Sequence, residues 1–270
     1  MASIDQKAML EAGVHFGHLR KKWNPKMLPY IFAEKKGIHV IDLNKTASKL
    51  EEAGNVLRNM AKNDKIVLFV ATKKQAKDIV KKAAMSCEMP FVTERWLGGM
   101  LTNFATIRKS VRKMQSIDKM FKDGTVKNIT KKERLMLSRQ KDKLEKVLGG
   151  IANLNRIPNA VFVVDILHED IAITECKKLS ITTLGMVDTN SDPNKINFAI
   201  PSNDDSSKSI EYITTYLAAC INEGKKEKAI SKEENASEEA PIADSEVATE
   251  ASAPEPAVSE VAPEVTPTED

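Results

Sequence analysis

The run Ile66-Val67-Leu68-Phe69-Val70-Ala71 decides the fold class. Six consecutive apolar residues, mostly β-branched or aromatic, suit a strand buried on both faces, as central strands of parallel sheets are. A helix-spaced set precedes it, from Lys45 through Leu50, Ala53, Leu57 and Met60, and another follows with Ala76, Ile79, Val80 and Ala83. Further along come a short strand at Phe91-Val92 and a second blocky strand, Ala160-Val161-Phe162-Val163-Val164. A helix over 169–179, strands over 181–186 and 197–200, and a helix over 206–222 complete the series. Strands alternating with helices imply an α/β fold with a mostly parallel, doubly wound, flavodoxin-like sheet. Nearer the N-terminus, residues 30–33 and 37–41 flank Glu34-Lys35-Lys36 and read as a small antiparallel ribbon.

The alternation breaks between Ala105 and Leu148. Ile107, Val111, Met114, Ile117 and Phe121 recur at helical spacing, Asp123-Gly124 interrupts, and a second stripe runs through Leu137, Leu144, Leu148 and Ile151, broken by Lys141. Two stripes joined by a short polar turn read as an inserted αα-hairpin, a short coiled coil. Its remaining positions, Lys141 included, are strongly basic: residues 105–148 hold fourteen Lys and Arg against five acids, a net of +9. A merely solvated face mixes signs; a one-signed face fits a polyanion or a protein partner. The expected division is an α/β body over 1–104 and 149–224, the hairpin over 105–148 and an acidic tail over 225–270.

The net charge of +3 conceals this asymmetry, for residues 1–230 carry +14 and residues 231–270 carry −11. From Ser231 the chain repeats Ala, Glu, Pro, Ser, Val and Thr without an aromatic residue or an apolar period, so a disordered tail is expected. Cys87, Cys176 and Cys220 are odd in number and lack metal-ligand spacing, as buried thiols in a reducing compartment would. The start of the chain does not read as a signal peptide and the apolar runs are strand-length, so a cytoplasmic protein with no membrane partner is expected.

Doubly wound sheets often serve enzymes, and a nucleotide- or sugar-binding enzyme using the sheet edge near Lys73, Asp188 and Asp205 is the alternative reading. Against it, the eleven glycines form neither a Gly-x-Gly-x-x-Gly nor a Walker-type pattern, and the turn after the strongest strand reads Thr72-Lys73-Lys74-Gln75. Gly149-Gly150 most simply ends a helix and lets the chain reverse. His15 and His18, in Gly13-Val14-His15-Phe16-Gly17-His18, are either packed turn residues or ligands that need a carboxylate supplied by the fold. Asp165, Asp188, Asp192, Asp204 and Asp205 follow strand candidates and share one sheet edge; Asp188, Asp204 and Asp205 can cap helices or hold a divalent cation. The loop Arg20-Lys21-Lys22-Trp23-Asn24-Pro25-Lys26 pairs bases with a tryptophan that either stacks on a ligand or anchors the loop.

Together these segments resemble the family of the second small-subunit ribosomal protein, in its bacterial or organellar form. The likeness rests on Ala12-Gly13-Val14-His15-Phe16-Gly17-His18, Trp23-Asn24-Pro25-Lys26-Met27, Ile38-His39-Val40-Ile41-Asp42-Leu43 and Ala71-Thr72-Lys73-Lys74-Gln75-Ala76. It rests most of all on Arg95-Trp96-Leu97-Gly98-Gly99-Met100-Leu101-Thr102-Asn103, with Pro158-Asn159-Ala160 and Gly185-Met186-Val187-Asp188-Thr189-Asn190 completing it. The resemblance covers roughly 5–224, and the acidic tail departs from it. It implies a non-enzymatic constituent of the 30S subunit on 16S rRNA, beside other small-subunit proteins including the large mRNA-binding protein S-one, with no required cofactor and no small-molecule substrate. The residues expected to touch rRNA or a partner are Arg20, Lys21, Lys22, Trp23, Lys26, Lys73, Lys74, Arg95, Arg108, Lys109, Arg112, Lys113, Lys131, Lys132 and Arg134. The deep groove of A-form RNA hides base edges, so such contacts read backbone and shape.

Overall fold

Why the apolar runs are uninterrupted becomes plain in the computed structural model, which describes residues 4–123 and 130–238, with side chains through 231. Strands β4 (Val67–Val70), β5 (Phe91–Val92), β6 (Ala160–Val164), β7 (Thr182–Val187) and β8 (Phe198–Pro201) form one parallel sheet in the order β5-β4-β6-β7-β8. That is the flavodoxin-like order, with the reversal between β4 and β6. Val67 and Phe69 face one layer with Phe162, Val164 and Leu184, where the two phenyl rings meet edge-on at 5.6 Å. Leu68 and Val70 face the other with Val161 and Val163. Each blocky strand therefore resolves into two alternating sets, one for each covered face.

The first layer is closed by α2 (Leu43–Lys62), α3 (Lys77–Ser86) and α7 (Ser207–Glu238), which contribute Leu50, Leu57, Val80, Ile213 and Leu217. Asp42 starts α2 by accepting the Asn44 N–H, and Asp5 starts the short α1 (Gln6–Glu11) by accepting from Lys7. The second layer holds α6 (Asp170–Lys178), the loop around Trp96 and Met100, and the base of the insertion.

The N-terminal ribbon has three strands rather than the expected two: β1 (Phe16–Leu19), β2 (Ile31–Lys35) and β3 (Ile38–Ile41), antiparallel in the order β1-β3-β2. Lys36 (φ 54°) and Gly37 (φ 77°) make the tight turn, as a two-residue hairpin loop of this hand demands. β1 is not legible in the sequence because Gly17 and His18 interrupt its apolar pattern.

The insertion consists of α4 (Phe104–Lys122) and α5 (Lys131–Leu148), the latter begun by a reciprocal capping box between Thr130 and Glu133. α4 buries Ile107, Val111, Met114 and Ile117. On α5 Leu148 is buried and Leu144 partly so, while Leu135 and Met136 stay exposed, so apolar packing concentrates toward the body. Lys141 corrects the expectation that it points outward: its Nζ donates to Asp118 Oδ1 on α4 at 2.5 Å, filling the gap in the stripe with an ion pair. Residues 124–129, where the turn was expected, lie outside the described residues.

Two further expectations change. α7 continues to Glu238, so residues 225–238, assigned to the tail, are helical. Lys225 reaches the Cys87 carbonyl at 2.7 Å and Glu88 at 3.0 Å, and Lys228 pairs with Asp64, so the extra turns gain partners that composition does not reveal. The remainder of the expected tail, 239–270, lies outside the described residues. Gly149 and Gly150 are not a left-handed helix stop: Gly149 is right-handed (φ −56°), and a Cβ on Gly150 would sit 2.1 Å from the Phe91 carbonyl oxygen. Close packing, not reversal, requires that glycine. All three cysteines are buried and unpaired, and no helix among the described residues is long and apolar enough to cross a membrane.

Candidate nucleic-acid interface and the sheet-edge cluster

Parallel strands deliver their following loops to one edge, and here that edge is acidic. Lys73 follows β4, Asp165 follows β6, Asp188 follows β7, and Asp204 and Asp205 follow β8. Lys73 Nζ lies 2.8 Å from Asp165, 2.8 Å from Asp204 Oδ1 and 2.9 Å from Asp205. β1 brings His18 to the same place, its Nδ1 2.8 Å from Asp188 Oδ2 and its Nε2 3.4 Å from Asp205. The carboxylate that a histidine ligand needs is thus supplied by the fold, about 170 residues away in sequence.

The electrostatics follow from burial. Asp204 is removed from solvent beside the charges of Asp165 and Asp188, which push its carboxyl up to about 7 in spite of Lys73. Burial opposes the charge on Lys73, but Asp204 and the hydrogen bonds to its three carboxylate partners outweigh it and raise its pKa. The hydrogen bond to Asp188 raises His18 against burial, whereas burial alone lowers His15. Lys73 was expected on rRNA or a partner; its charge is instead spent inside the protein. Helix capping was one of two readings open for Asp204 and Asp205; in the structure it is Asn203 that accepts the N–H groups of Asp205 and Ser206.

The N-terminal loop is tied to this edge by its backbone. The His18 N–H donates to Thr189 Oγ1 and the Asn24 N–H to the Thr189 carbonyl, both at 2.8 Å. A Cβ on Gly17 would stand 2.6 Å from Thr189 Cγ2, which is why this approach needs glycine. Arg20, Lys21, Lys22 and Lys26 are exposed on the anchored loop, Lys26 pairing with Asp192 at 2.6 Å. Trp23 is half-buried against the His39 ring, 5.3 Å between centroids, so anchoring is part of its work.

The segment after β5 is held by one side chain. Glu175 of α6, buried, accepts from the Trp96 indole and from the backbone N–H groups of Gly99, Leu101 and Thr102. Burial would raise its pKa; these donors prevail and lower it. Sequence reasoning misses Glu175, since no local pattern marks a helical glutamate that faces inward. Arg95 projects from the same segment into solvent, and Lys74 is exposed beyond β4.

On the hairpin Lys109, Arg112, Lys113, Lys131, Lys132 and Arg134 are exposed. Arg108 is turned toward the body, donating to the Leu154 carbonyl and Asn155 Oδ1 at 2.8 Å each.

A family model described as ribosomal protein S2 matches residues 9–224. The chain belongs to the ribosomal protein S2 family. It is 55% identical over 242 residues to the small ribosomal subunit protein uS2 of Parabacteroides distasonis, spanning 89% of this chain and 87% of that one. It is 56% identical over 245 residues to the uS2 protein of Flavobacterium johnsoniae, covering 91% and 96% of the two chains. The uS2 protein of Cytophaga hutchinsonii is 56% identical over 231 residues, or 86% and 91%. The S2 family is structural and not enzymatic, so the alternative of a nucleotide- or sugar-binding enzyme is not supported. The sheet edge on which that alternative relied is filled by the Lys73 ion pairs. In the S2 fold the matched range takes in the ribbon, the parallel sheet, the hairpin and most of α7.

Proposed function

We propose that this chain is a structural constituent of the small ribosomal subunit, with the hairpin and the N-terminal loop as its grip on 16S rRNA. The S2-family match over 9–224 carries this reading. Membership places the protein in the bacterial cytoplasm, within the small subunit beside rRNA and other ribosomal proteins.

The contact set we infer comprises Arg20, Lys21, Lys22, Trp23 and Lys26 on the loop, Lys74 and Arg95 at the sheet edge, and Arg108, Lys109, Arg112, Lys113, Lys131, Lys132 and Arg134 on the hairpin. Exposure and a shared sign support its Lys and Arg members other than Arg108, because phosphate contacts draw their free energy from counterion release, while Trp23 is half-buried and Arg108 is turned toward the body. The α/β body acts as a rigid mount. Protein neighbours are the second class of partner, S-one among them in bacteria that carry it. The exposed side chains of Phe16, Leu28 and Phe32 on and beside the ribbon offer such a neighbour an apolar surface.

Sedimentation of the purified chain with small-subunit particles across a salt gradient tests the reading. Stoichiometric association that weakens as salt rises is expected; a chain that stays at the top of the gradient at low salt would refute it.

A further inference from the structure

The amino edge of the parallel sheet, opposite the acidic one, holds a small polar cavity of about 340 Å³. It lies between the end of α6, the starts of β7 and β8, and the turn Pro193–Lys195 that joins those two strands. Lys177, Ser180, Thr182, Asn194, Lys195 and Asn197 supply most of its polar lining, and no lining residue is acidic. Lys177, Ser180, Asn194 and Asn197 are exposed, so the cavity is open to solvent.

Local structure decides what these groups offer. At the end of α6 the Ile181 N–H donates back to the Cys176 carbonyl at 3.0 Å and the Ser180 N–H to the Lys177 carbonyl at 3.2 Å, around Ser180 in the left-handed region (φ 53°). Two carbonyls that would make the helix end negative are thereby engaged, and Lys177 and Lys178 stand exposed beside them. Asn197 is oriented from behind, since the Thr183 N–H and hydroxyl both reach its Oδ1 at 2.9 Å. A backbone N–H can only donate, so the atom it meets is the amide oxygen and the NH2 is left for another acceptor. Neither that NH2 nor the Lys177 ammonium has a partner among the described residues. Lys195 gives one N–H to Asp170 at 2.6 Å and keeps the others. Donors and positive charge without a carboxylate call for an anion.

Continuity with the N-terminal loop says which anion. Asp192 begins the turn Pro193–Lys195 by accepting the Asn194 N–H, and the same carboxylate pairs with Lys26 at 2.6 Å. One wall of the cavity is therefore tied through a single side chain to the loop that carries Arg20, Lys21 and Lys22. We propose that this cavity binds a phosphate of an RNA backbone, with Lys177 and Asn197 as its principal donors. A phosphodiester brings both the charge that Lys177 lacks a partner for and the acceptor oxygens that the Asn197 amide needs. Such a contact positions a strand without reading its bases. The proposal rests on the ribosomal reading above and adds a contact outside the set given there.

The test uses the full-length chain and small-subunit particles washed free of their own S2 protein, with binding measured across a salt series. Lys177→Gln should bind about three- to tenfold more weakly and lower the logarithmic salt slope by about 0.7–0.9, as loss of one phosphate contact does. Asn197→Asp keeps an acceptor for Thr183 but sets a carboxylate oxygen where the NH2 stood, so it should bind more weakly still with an unchanged Tm. If Asn197→Asp fails to fold by circular dichroism, Lys177→Gln decides alone, because Lys177 is exposed and unpaired among the described residues. An iron chelate tethered through Lys178→Cys identifies the occupant, since Cys87, Cys176 and Cys220 are buried and do not take the tether. Cleavage of 16S rRNA from that position is expected. A wild-type chain that does not bind the particles refutes the ribosomal reading and this site with it. Wild-type binding with unchanged affinity in either folded variant, or without rRNA cleavage from position 178, overturns the site alone, the second outcome leaving this face to a protein neighbour or to solvent.

Discussion

Glu175 and Trp96 are joined by a buried hydrogen bond, the indole N–H donating to Oε1 at 3.1 Å, although they lie 79 residues apart. The same carboxylate accepts the N–H groups of Gly99 at 2.8 Å, Leu101 at 2.9 Å and Thr102 at 3.1 Å. One side chain of α6 thereby shapes the loop that leads into the hairpin, and it does so only while ionised.

Glu175→Gln replaces an acceptor-only carboxylate by an amide whose NH2 must face donors. A loss of about 2–3 kcal/mol is expected in urea denaturation at neutral pH. Because the folded carboxyl lies below its ordinary value of 4.5, the wild type should lose this contribution as pH falls below that value and through the folded pKa. The variant should lose less over the same range. Parallel stability curves for the two proteins from neutral to acid pH would contradict the assignment.

Gly150→Ala forces a methyl against the Phe91 carbonyl, where backbone has to move. A destabilisation of about 1–3 kcal/mol is expected from overpacking, read as a lower melting midpoint. Gly149→Ala, with only Glu145 Cγ nearby at 3.7 Å, should be close to neutral. Equal effects at the two positions would show that the pair serves a turn after all.

The hairpin's apolar stripe and its charges should fail differently. Val111→Asp puts a charge into a fully buried position and should cost several kcal/mol, loosening α4 from α5 while the parallel sheet keeps its own core. Changing Arg112, Lys113, Lys131 and Arg134 together to Ala should alter folding stability by no more than about 0.5 kcal/mol per site. It should weaken association with the particle and flatten its dependence on salt, by up to about 0.9 in the logarithmic slope for each phosphate no longer neutralised. Unchanged affinity and slope in the fourfold variant would assign these bases to solvation.

Removing residues 239–270 should leave melting and particle association as they are. That segment contributes nine acids and no base, with no apolar period to build a core. A truncated chain that melts normally but no longer sediments with the particle would make the acidic segment a docking element.

The sequence by itself determined the α/β class, the strands around Phe69 and Phe162 and the basic insertion, because these rest on local periodicity and composition. A strand covered on both faces must be apolar throughout, and a two-helix arm must repeat its apolar residues every three or four positions. Tertiary structure alone decided which charges face solvent. Lys73 and Lys141 are lysines like their neighbours in sequence, yet the first is enclosed by carboxylates from after β6 and β8 and the second turns to Asp118. It also decided that His18 meets Asp188, that Glu175 holds the Trp96 loop, and that Gly17 and Gly150 are needed where another segment presses close. Periodicity records which face of an element is buried; it carries no record of what a distant segment brings to that face. Such pairings are set by strand order and loop placement, and they exist only once the sheet has closed.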